Sequence, residues 1–204
     1  MKVMVVLAHP ATGSFNHAIA RTASNVLEAG GYEVVYHDLY AERFDSIFCE
    51  EELRPGAVLP ELVQRHCREL GEVDGLIVVH PNWWGQPPAI MKGWIDRVFR
   101  VDVAYRFLQG DKGEGVPMGL LKALTALVFN TSNTAKAREL AVFGDPLERL
   151  WKACLLEFCG VRHVERRMFE TVITSDEAQR RQWLVEVAEM VRSVFPAAGA
   201  LRDK

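Results

Sequence analysis

Residues 3–16 read VMVVLAHPATGSFN, an unbroken apolar run followed by a turn of small and hydroxyl-bearing residues. The run from Val3 to Ala8 is typical of a strand that is buried on both faces of a sheet. Ser14 is the expected N-cap of a helix over Ser14–Ala29, and Gly30-Gly31 is its expected stop. This strand–turn–helix unit indicates the first repeat of an α/β fold.

The same alternation continues along the chain, with an irregular connection at Phe44–Pro60 and a Gly-rich one at Arg100–Leu120. The further expected strands are Glu33–Leu39, Gly75–Val79, Ala123–Phe129 and Val164–Val172, and the further helices are Glu61–Leu70, Pro88–Phe99, Asp145–Phe158 and Asp176–Val194, the last capped by Ser175. Strands that alternate with helices predict a parallel sheet covered on both faces. We therefore expect one flavodoxin-like, doubly wound α/β domain over residues 1–204, with five parallel strands in the order 2-1-3-4-5.

Composition limits the function classes. A chain of 204 residues with a formal net charge of −3 is typical of one globular domain, and it has no long basic run for nucleic acid or a membrane surface. The apolar run before His9 is too short for a secretory or membrane-spanning segment, so we expect a cytoplasmic protein with no membrane insertion.

Cysteine and histidine spacing gives no metal signature, since CxxC and H-E-x-x-H are both absent. We expect no metal site, and we expect Cys154 and Cys159 to be buried free thiols in an apolar helix. The densest basic cluster is predicted to be a solvated edge of the sheet and comprises Arg162, His163, Arg166 and Arg167.

Two further segments also follow predicted strands directly. Residues 81–88 read PNWWGQPP after the third strand, and residues 130–134 read NTSNT after the fourth. In doubly wound sheets the ligand lies beyond the carboxyl ends of the strands, at the switch point between strands 1 and 3. The turn after the first strand and these two segments are therefore expected to meet in one crevice.

Each segment suits a different part of a flavin. Thr12, Gly13 and Ser14 place hydroxyls and unpaired N–H groups at a helix start, which favours a phosphate, although an ordinary capped helix has the same features. Trp83 and Trp84 suit a flat ring, with a plug at the sheet end or a dimer interface as the alternatives. The chain lacks G-x-G-x-x-G after the first strand, a P-loop and G-x-S-x-G, which disfavours dinucleotide-binding, P-loop and α/β-hydrolase folds.

Several strings together resemble the flavodoxin-like NAD(P)H:quinone oxidoreductases, a group that includes flavoproteins ancillary to potassium-efflux systems. The most specific is residues 88–99, PAIMKGWIDRVF, and the others are Leu7-Ala8-His9, Ser14-Phe15-Asn16, Asp38-Leu39-Tyr40, Pro81 with Trp84, Ala104-Tyr105-Arg106-Phe107 and Phe158-Cys159-Gly160. The resemblance covers most of the chain in order. It implies a homodimer with a flavin near the interface and two-electron, ping-pong reduction of quinone-like small molecules by NAD(P)H, with no obligatory catalytic side chain.

The resemblance also implies roles for individual residues. The flavin phosphates and ribityl chain would be held by His9, Ser14, Phe15 and Asn16, and the ring would lie along Pro81, Asn82, Trp83 and Trp84. Gly85 is a further candidate on its own chemistry, because a glycine beside the tryptophans suits a flat ring. Tyr105 and Phe107 would form a lid on the substrate side. From the chemistry of the reduced ring rather than from the resemblance, we expect backbone N–H groups or hydroxyls of the turn to donate to the charge that develops at N1–O2, the turn being Asn130, Thr131, Ser132, Asn133 and Thr134.

Three departures from the animal enzymes affect the acceptor preference and the source of that charge stabilisation. Asn130-Thr131-Ser132-Asn133 replaces a Thr-Thr-Gly-Gly turn, Gly85 replaces an aromatic residue, and Ala137 and Phe143 stand in the region of a Tyr and a His. FAD and FMN both fit the sequence, as do NADH and NADPH. The alternative functions are a flavodoxin-type electron carrier and a regulatory partner of a membrane transporter.

Overall fold

The computed structural model describes residues 1–54, 56–108, 110, 115 and 117–197. Parts of the expected Arg100–Leu120 connection, namely 109, 111–114 and 116, and the last residues of the expected domain, 198–204, lie outside the described residues. The strands are β1 (Lys2–Leu7), β2 (Glu33–Asp38), β3 (Gly75–Pro81), β4 (Tyr105–Arg106), β5 (Met118–Gly119), β6 (Thr125–Thr131) and β7 (His163–Phe169). The α-helices are α1 (Phe15–Ala29), α2 (Glu61–Glu72), α3 (Ala89–Val98), α4 (Lys136–Phe143), α5 (Pro146–Arg149) and α6 (Glu177–Val194).

The main sheet has five parallel strands in the order β2-β1-β3-β6-β7, which confirms the predicted order. β1 pairs with β2 on one side and with β3 on the other, so the chain reverses its direction of winding at the β1–β3 boundary. At the carboxyl end, His80 pairs with Asn130 and Pro81 with Thr131. The segments that follow β1, β3 and β6 therefore leave the sheet at the same edge.

Apolar residues fill both faces of the sheet because successive strand residues point to opposite sides. Val3, Val5 and Leu7 of β1 belong to a core cluster with α1 and α6. Met4 and Val6 belong to the other cluster, which contains residues of α2 and α3. The strands buried on both faces are the ones whose sequences are continuous apolar runs, as expected for a covered parallel sheet.

Several predicted boundaries are wrong for local reasons. Asp176, not Ser175, caps α6, and its Oδ1 accepts from the Gln179 N–H at 2.7 Å. β7 ends at Phe169 because Thr171 takes a left-handed conformation with φ of +52°. The single helix expected over Asp145–Phe158 is instead α5 followed by a π-helical stretch, Leu150–Leu156.

The expected burial of two side-chain groups also needs correction. Cys159 is buried, and burial raises the pKa of its thiol to about 12, but Cys154 is exposed. Arg166 is not solvated, because its side chain is only 3% exposed and forms ion pairs with Asp145 and Glu148.

Among the described residues, no helix is both long enough and apolar enough to cross a membrane.

Candidate functional site

A cavity of about 700 Å³ lies at the edge of the sheet where β1, β3 and β6 end. Its apolar lining is Phe15, Pro81, Trp83, Trp84, Gly85, Phe143, Pro146 and Val172, and its polar lining is His9, Ser14, Asn16, Asn82, Gln86, Thr131, Ser132, Asn133, Thr134, Arg138 and Glu139. A volume of this size is within the range of small-molecule and cofactor sites.

The start of α1 forms the first wall. Ser14 is the N-cap, as predicted, and its Oγ accepts from the His17 N–H. The Phe15 and Asn16 N–H groups have no hydrogen-bond partner among the described residues, because the first turn of a helix offers them none. With the positive end of the helix dipole, these groups favour an anion at this wall.

His9 lies beside this wall as a neutral donor. Its Nδ1 lies 3.1 Å from the Ala11 N and 3.3 Å from the Ala11 carbonyl oxygen. When Nδ1 accepts the shorter bond, from the Ala11 N–H, the proton of the neutral ring is carried by Nε2. Burial lowers the pKa of His9 and outweighs the backbone hydrogen bond with Ala11, which acts in the opposite direction.

The second wall is a hairpin turn over residues 83–86, which we call the tip. Trp83 and Gln86 exchange two backbone hydrogen bonds of 2.9 and 3.0 Å. Trp84 and Gly85 both have positive φ, +58° and +72°, as a type I′ turn requires. The Trp84 side chain is fully exposed, so it does not plug the end of the sheet.

Asn82 holds the tip in place through both ends of its amide. Its Nδ2 donates to Oε1 of the buried Glu139 on α4 at 2.9 Å, and its Oδ1 accepts from the Gly85 N–H at 2.9 Å. A Cβ at Gly85 would lie 2.7 Å from Cγ of Pro146, at the start of α5. The close approach of α5 therefore explains why a glycine stands here.

The third wall is the turn after β6. The Ser132 N–H donates to the Phe169 carbonyl at 2.8 Å, and the Thr134 N–H donates to Ser132 Oγ at 3.0 Å. The Asn133 N–H has no partner among the described residues. Asn16 Nδ2 donates to Thr131 Oγ1 at 3.0 Å, which joins this wall to the start of α1.

A family model described as "Flavodoxin-like fold" matches residues 1–191. An "Uncharacterized NAD(P)H oxidoreductase" of Haemophilus influenzae is 30% identical over 206 residues, 97% of either chain. The chain belongs to the flavodoxin-like NAD(P)H:quinone oxidoreductase family. The "NAD(P)H dehydrogenase [quinone] 1" of Cavia porcellus is 28% identical over 190 residues, 82% of this chain and 67% of that relative.

Among solved structures, the "NAD(P)H:quinone oxidoreductase from Methanothermobacter marburgensis" superposes on this family member with a TM-score of 0.79 at 25% identity. The superposition covers 94% of this chain and 96% of the other. The fold and the family predicted from the sequence are both confirmed.

Most of the site residues predicted from the sequence lie together in the cavity wall. They are His9, Ser14, Phe15, Asn16, Pro81, Asn82, Trp83, Trp84, Gly85, Thr131, Ser132 and Asn133. Thr12 and Gly13 precede the wall in the turn before α1, and Asn130 is buried at the end of β6. Tyr105 and Phe107 lie outside the cavity, and the Tyr105 ring packs against Phe158 with centroids 5.4 Å apart.

The sequence interpretation missed the part of the cavity that α4 and α5 supply. Arg138 and Glu139 belong to α4, a helix that was not predicted, and Pro146 begins α5. Gly144 ends α4 with a φ of +69°, and a glycine at this position before a proline is a helix-stop signal in the sequence itself.

Away from the cavity, His37, Glu42 and His66 place potential metal ligands within 4.8 Å of one another. Their hydrogen bonds argue against a metal ion. The Trp94 Nε1–H donates to His66 Nδ1 at 2.9 Å, so the proton of neutral His66 lies on Nε2, which faces Glu42 at 3.1 Å. A metal on Nε2 would require the proton on Nδ1, where Trp94 already donates.

The cluster is therefore better described as a hydrogen-bonded network. Burial alone would raise the pKa of Glu42, but hydrogen bonds from His37 and His66 outweigh burial and lower the pKa to about 2. The carboxylate form of Glu42 is thus part of the folded structure.

Proposed function

We propose that this protein is a flavin-dependent NAD(P)H oxidoreductase that carries out two-electron reduction of quinones or similar small acceptors. The observation that carries the proposal is the cavity of about 700 Å³, whose walls are the three segments that follow β1, β3 and β6. Family membership supports a flavin nucleotide, FAD or FMN, used with NAD(P)H.

The start of α1 fits the phosphate end of such a cofactor. The N–H groups of Phe15 and Asn16 are unpaired among the described residues, and the Ser14 hydroxyl and His9 Nε2 supply further donors at the same wall. No acidic side chain belongs to the first turn of α1, so nothing in that turn repels an anion.

The other two walls of the cavity fit the ring. Trp83, Pro81 and Pro146 give an apolar surface. Among the described residues the N–H groups of Trp84 and Asn133 have no hydrogen-bond partner, so they are free to donate to the ring. When bound, the flavin supplies the hydride chemistry, accepting a hydride from NAD(P)H and passing it to the acceptor. The chain's own part is to orient both reactants and to donate to negative charge on the ring, for which the Asn133 N–H is our candidate.

We also propose a two-fold homodimer that covers the tip. Trp84 is fully exposed, and Leu140 and Phe143 on the neighbouring α4 are 62% and 53% exposed. Apolar surface of this kind beside a cavity is typical of an interface. Tyr105 and Phe107 remain our candidate lid residues, and a cytoplasmic location stays a prediction.

Flavin titration followed by anaerobic reduction tests the proposal. We expect one flavin per chain, loss of the flavin's visible absorbance on adding NADH or NADPH, and its return on adding a benzoquinone or naphthoquinone. Ping-pong kinetics are expected because donor and acceptor use the same face of the ring. Failure of both FMN and FAD to bind at micromolar concentration would show that the proposal is wrong, whereas a bound flavin that neither nicotinamide reduces would favour the electron-carrier alternative.

Light scattering at tens of micromolar protein tests the dimer separately. A monomeric mass with flavin bound would contradict it.

A further inference from the structure

A chain of hydrogen bonds runs from the wall of the cavity to β2. Ser14 Oγ lies 2.8 Å from His17 Nδ1, and His17 Nε2 lies 3.1 Å from Asp38 Oδ2. The His17 and Asp38 side chains are only 13% and 15% exposed. Ser14 lines the cavity, whereas neither His17 nor Asp38 does.

Asp38 is held in a fixed orientation toward His17. Its Oδ1 accepts from the N–H groups of Tyr40 and Ala41, both at 3.1 Å, so Oδ2 is the oxygen left for the ring. The oxygens of a carboxylate act only as acceptors. His17 Nε2 must therefore carry a proton to complete the bond to Asp38.

The protonation of the other ring nitrogen decides where the Ser14 hydroxyl points. In a neutral ring, Nδ1 has a lone pair and takes the Ser14 proton, so Ser14 cannot donate to anything in the cavity. In a doubly protonated ring, Nδ1–H donates to Ser14 Oγ, and the Ser14 O–H is free to point into the cavity. In this second form His17 and Asp38 make an ion pair.

We infer that His17 and Asp38 are positioning residues for the cofactor phosphate, an inference that rests on the proposed function. The anion at the start of α1 and the Asp38 carboxylate hold a protonated His17 between them. His17 turns the Ser14 hydroxyl outward, and Ser14 donates to the phosphate beside the N–H groups of Phe15 and Asn16. The ring of the flavin is not involved, so the relay contributes only to flavins that carry a phosphate.

Affinities for FMN, FAD and riboflavin, measured separately by flavin fluorescence quenching, test the inference. Riboflavin carries the same ring without a phosphate. The wild-type protein first establishes which nucleotide flavin binds. In His17→Phe we expect the Kd of that flavin to increase about tenfold, because one charge-assisted hydrogen bond is lost, and we expect the riboflavin Kd to be unchanged. His17→Gln should recover part of the affinity, because its amide can donate to Ser14.

Asp38→Asn separates charge from structure. The amide oxygen can keep the bonds to Tyr40 and Ala41, and the amide N–H then donates to His17 Nε2, so a neutral ring carries its proton on Nδ1 and still donates to Ser14. Only the charge is lost, so we expect about a threefold rise in the nucleotide-flavin Kd alone. Asp176→Asn is the matched control, since Asp176 also accepts from a backbone N–H but caps α6 away from the cavity. Circular dichroism and thermal unfolding establish that each variant is folded.

Equal losses for riboflavin and nucleotide flavins, or no loss in any folded variant, would overturn the relay while leaving the proposed function intact. No binding of any of the three flavins to the wild-type protein would overturn both.

Discussion

The start of α1 and the tip face the same cavity, but the sequence builds them in different ways. Residues 9–17 form the first wall almost alone, through an N-cap and a glycine turn within one short stretch. The tip depends on Asn82, Glu139 and Pro146, which are distant in sequence and meet only in the folded chain. The first wall is therefore preorganised by local backbone geometry, and the second by tertiary contacts.

Gly13→Val gives the largest expected effect because it breaks the locally built wall. Gly13 has a φ of +77°, a conformation that a β-branched residue avoids, so the turn must rearrange and displace Ser14 and the N–H groups after it. We expect the flavin Kd to rise by about 100-fold or more, as several hydrogen bonds to the phosphate are lost together. Flavin fluorescence titration measures the change.

Gly56→Val is the matched control for this variant. Gly56 has a φ of +73°, and a Cβ added at Gly56 or at Gly13 would meet no atom of the described residues within 4 Å, chain neighbours aside. Gly56 does not line the cavity, so we expect a similar loss of stability with the flavin Kd unchanged. Equal effects of the two variants on flavin affinity would mean that the turn before α1 has no special role.

Glu139→Ala tests the wall built by distant residues. The alanine leaves Asn82 Nδ2 without its acceptor in a partly buried position and loosens the tip, so we expect the flavin Kd to rise about tenfold. Glu139→Gln retains an acceptor oxygen and should stay close to the wild-type affinity. If both variants bind flavin as the wild-type protein does, the Asn82–Glu139 bond does not organise the cavity.

The same contrast explains how far the sequence predicted the molecule. The sheet order and the start of α1 follow from apolar runs, an N-cap and glycines, signals that lie within a few residues of one another. Glu139 and Pro146 carry no such signal, because their importance comes from contact with Asn82 and Gly85. Tyr105 and Phe107 belong to a connection in which residues 109, 111–114 and 116 lie outside those that the structure describes.

Trp84→Gly should separate stability from binding at the tip. A non-glycine residue at a φ of +58° costs about 1 kcal/mol, so the glycine should raise the free energy of unfolding by up to that amount. It also removes an aromatic surface from the cavity wall, and we expect the flavin Kd to rise about threefold. Urea denaturation and flavin titration measure the two quantities.

Arg43→Gly provides the comparison for Trp84→Gly. Arg43 also has a positive φ, +52°, and lies outside the cavity wall. It should gain stability without losing affinity. An unchanged flavin Kd in Trp84→Gly would indicate that the tip binds through its backbone alone, and an equal loss in both variants would contradict a specific role for the Trp84 side chain.

His80 lies beneath both walls, at the end of β3, and gives the smallest expected effect on binding. Burial lowers the pKa of His80 from 6.5 to about 4, and its Nε2 accepts from the Trp151 Nε1–H at 2.9 Å. Between these two pH values the unfolded chain binds a proton that the folded protein does not. Acidification from pH 6.5 to 4 therefore removes on the order of 3 kcal/mol of stability through this group.

His80→Gln keeps an acceptor for Trp151 and cannot titrate. The unfolding free energy of the variant should therefore fall less steeply across this pH window than that of the wild-type protein. Its flavin Kd at about pH 7 should stay within about twofold of the wild-type value. Denaturant unfolding at closely spaced pH values above about 5.5 measures the slope where Glu42 is still largely ionised in the unfolded chain. His163→Gln, at an exposed imidazole, is the control and should retain the wild-type slope. If His80→Gln retains it as well, His80 does not contribute to the loss of stability in acid.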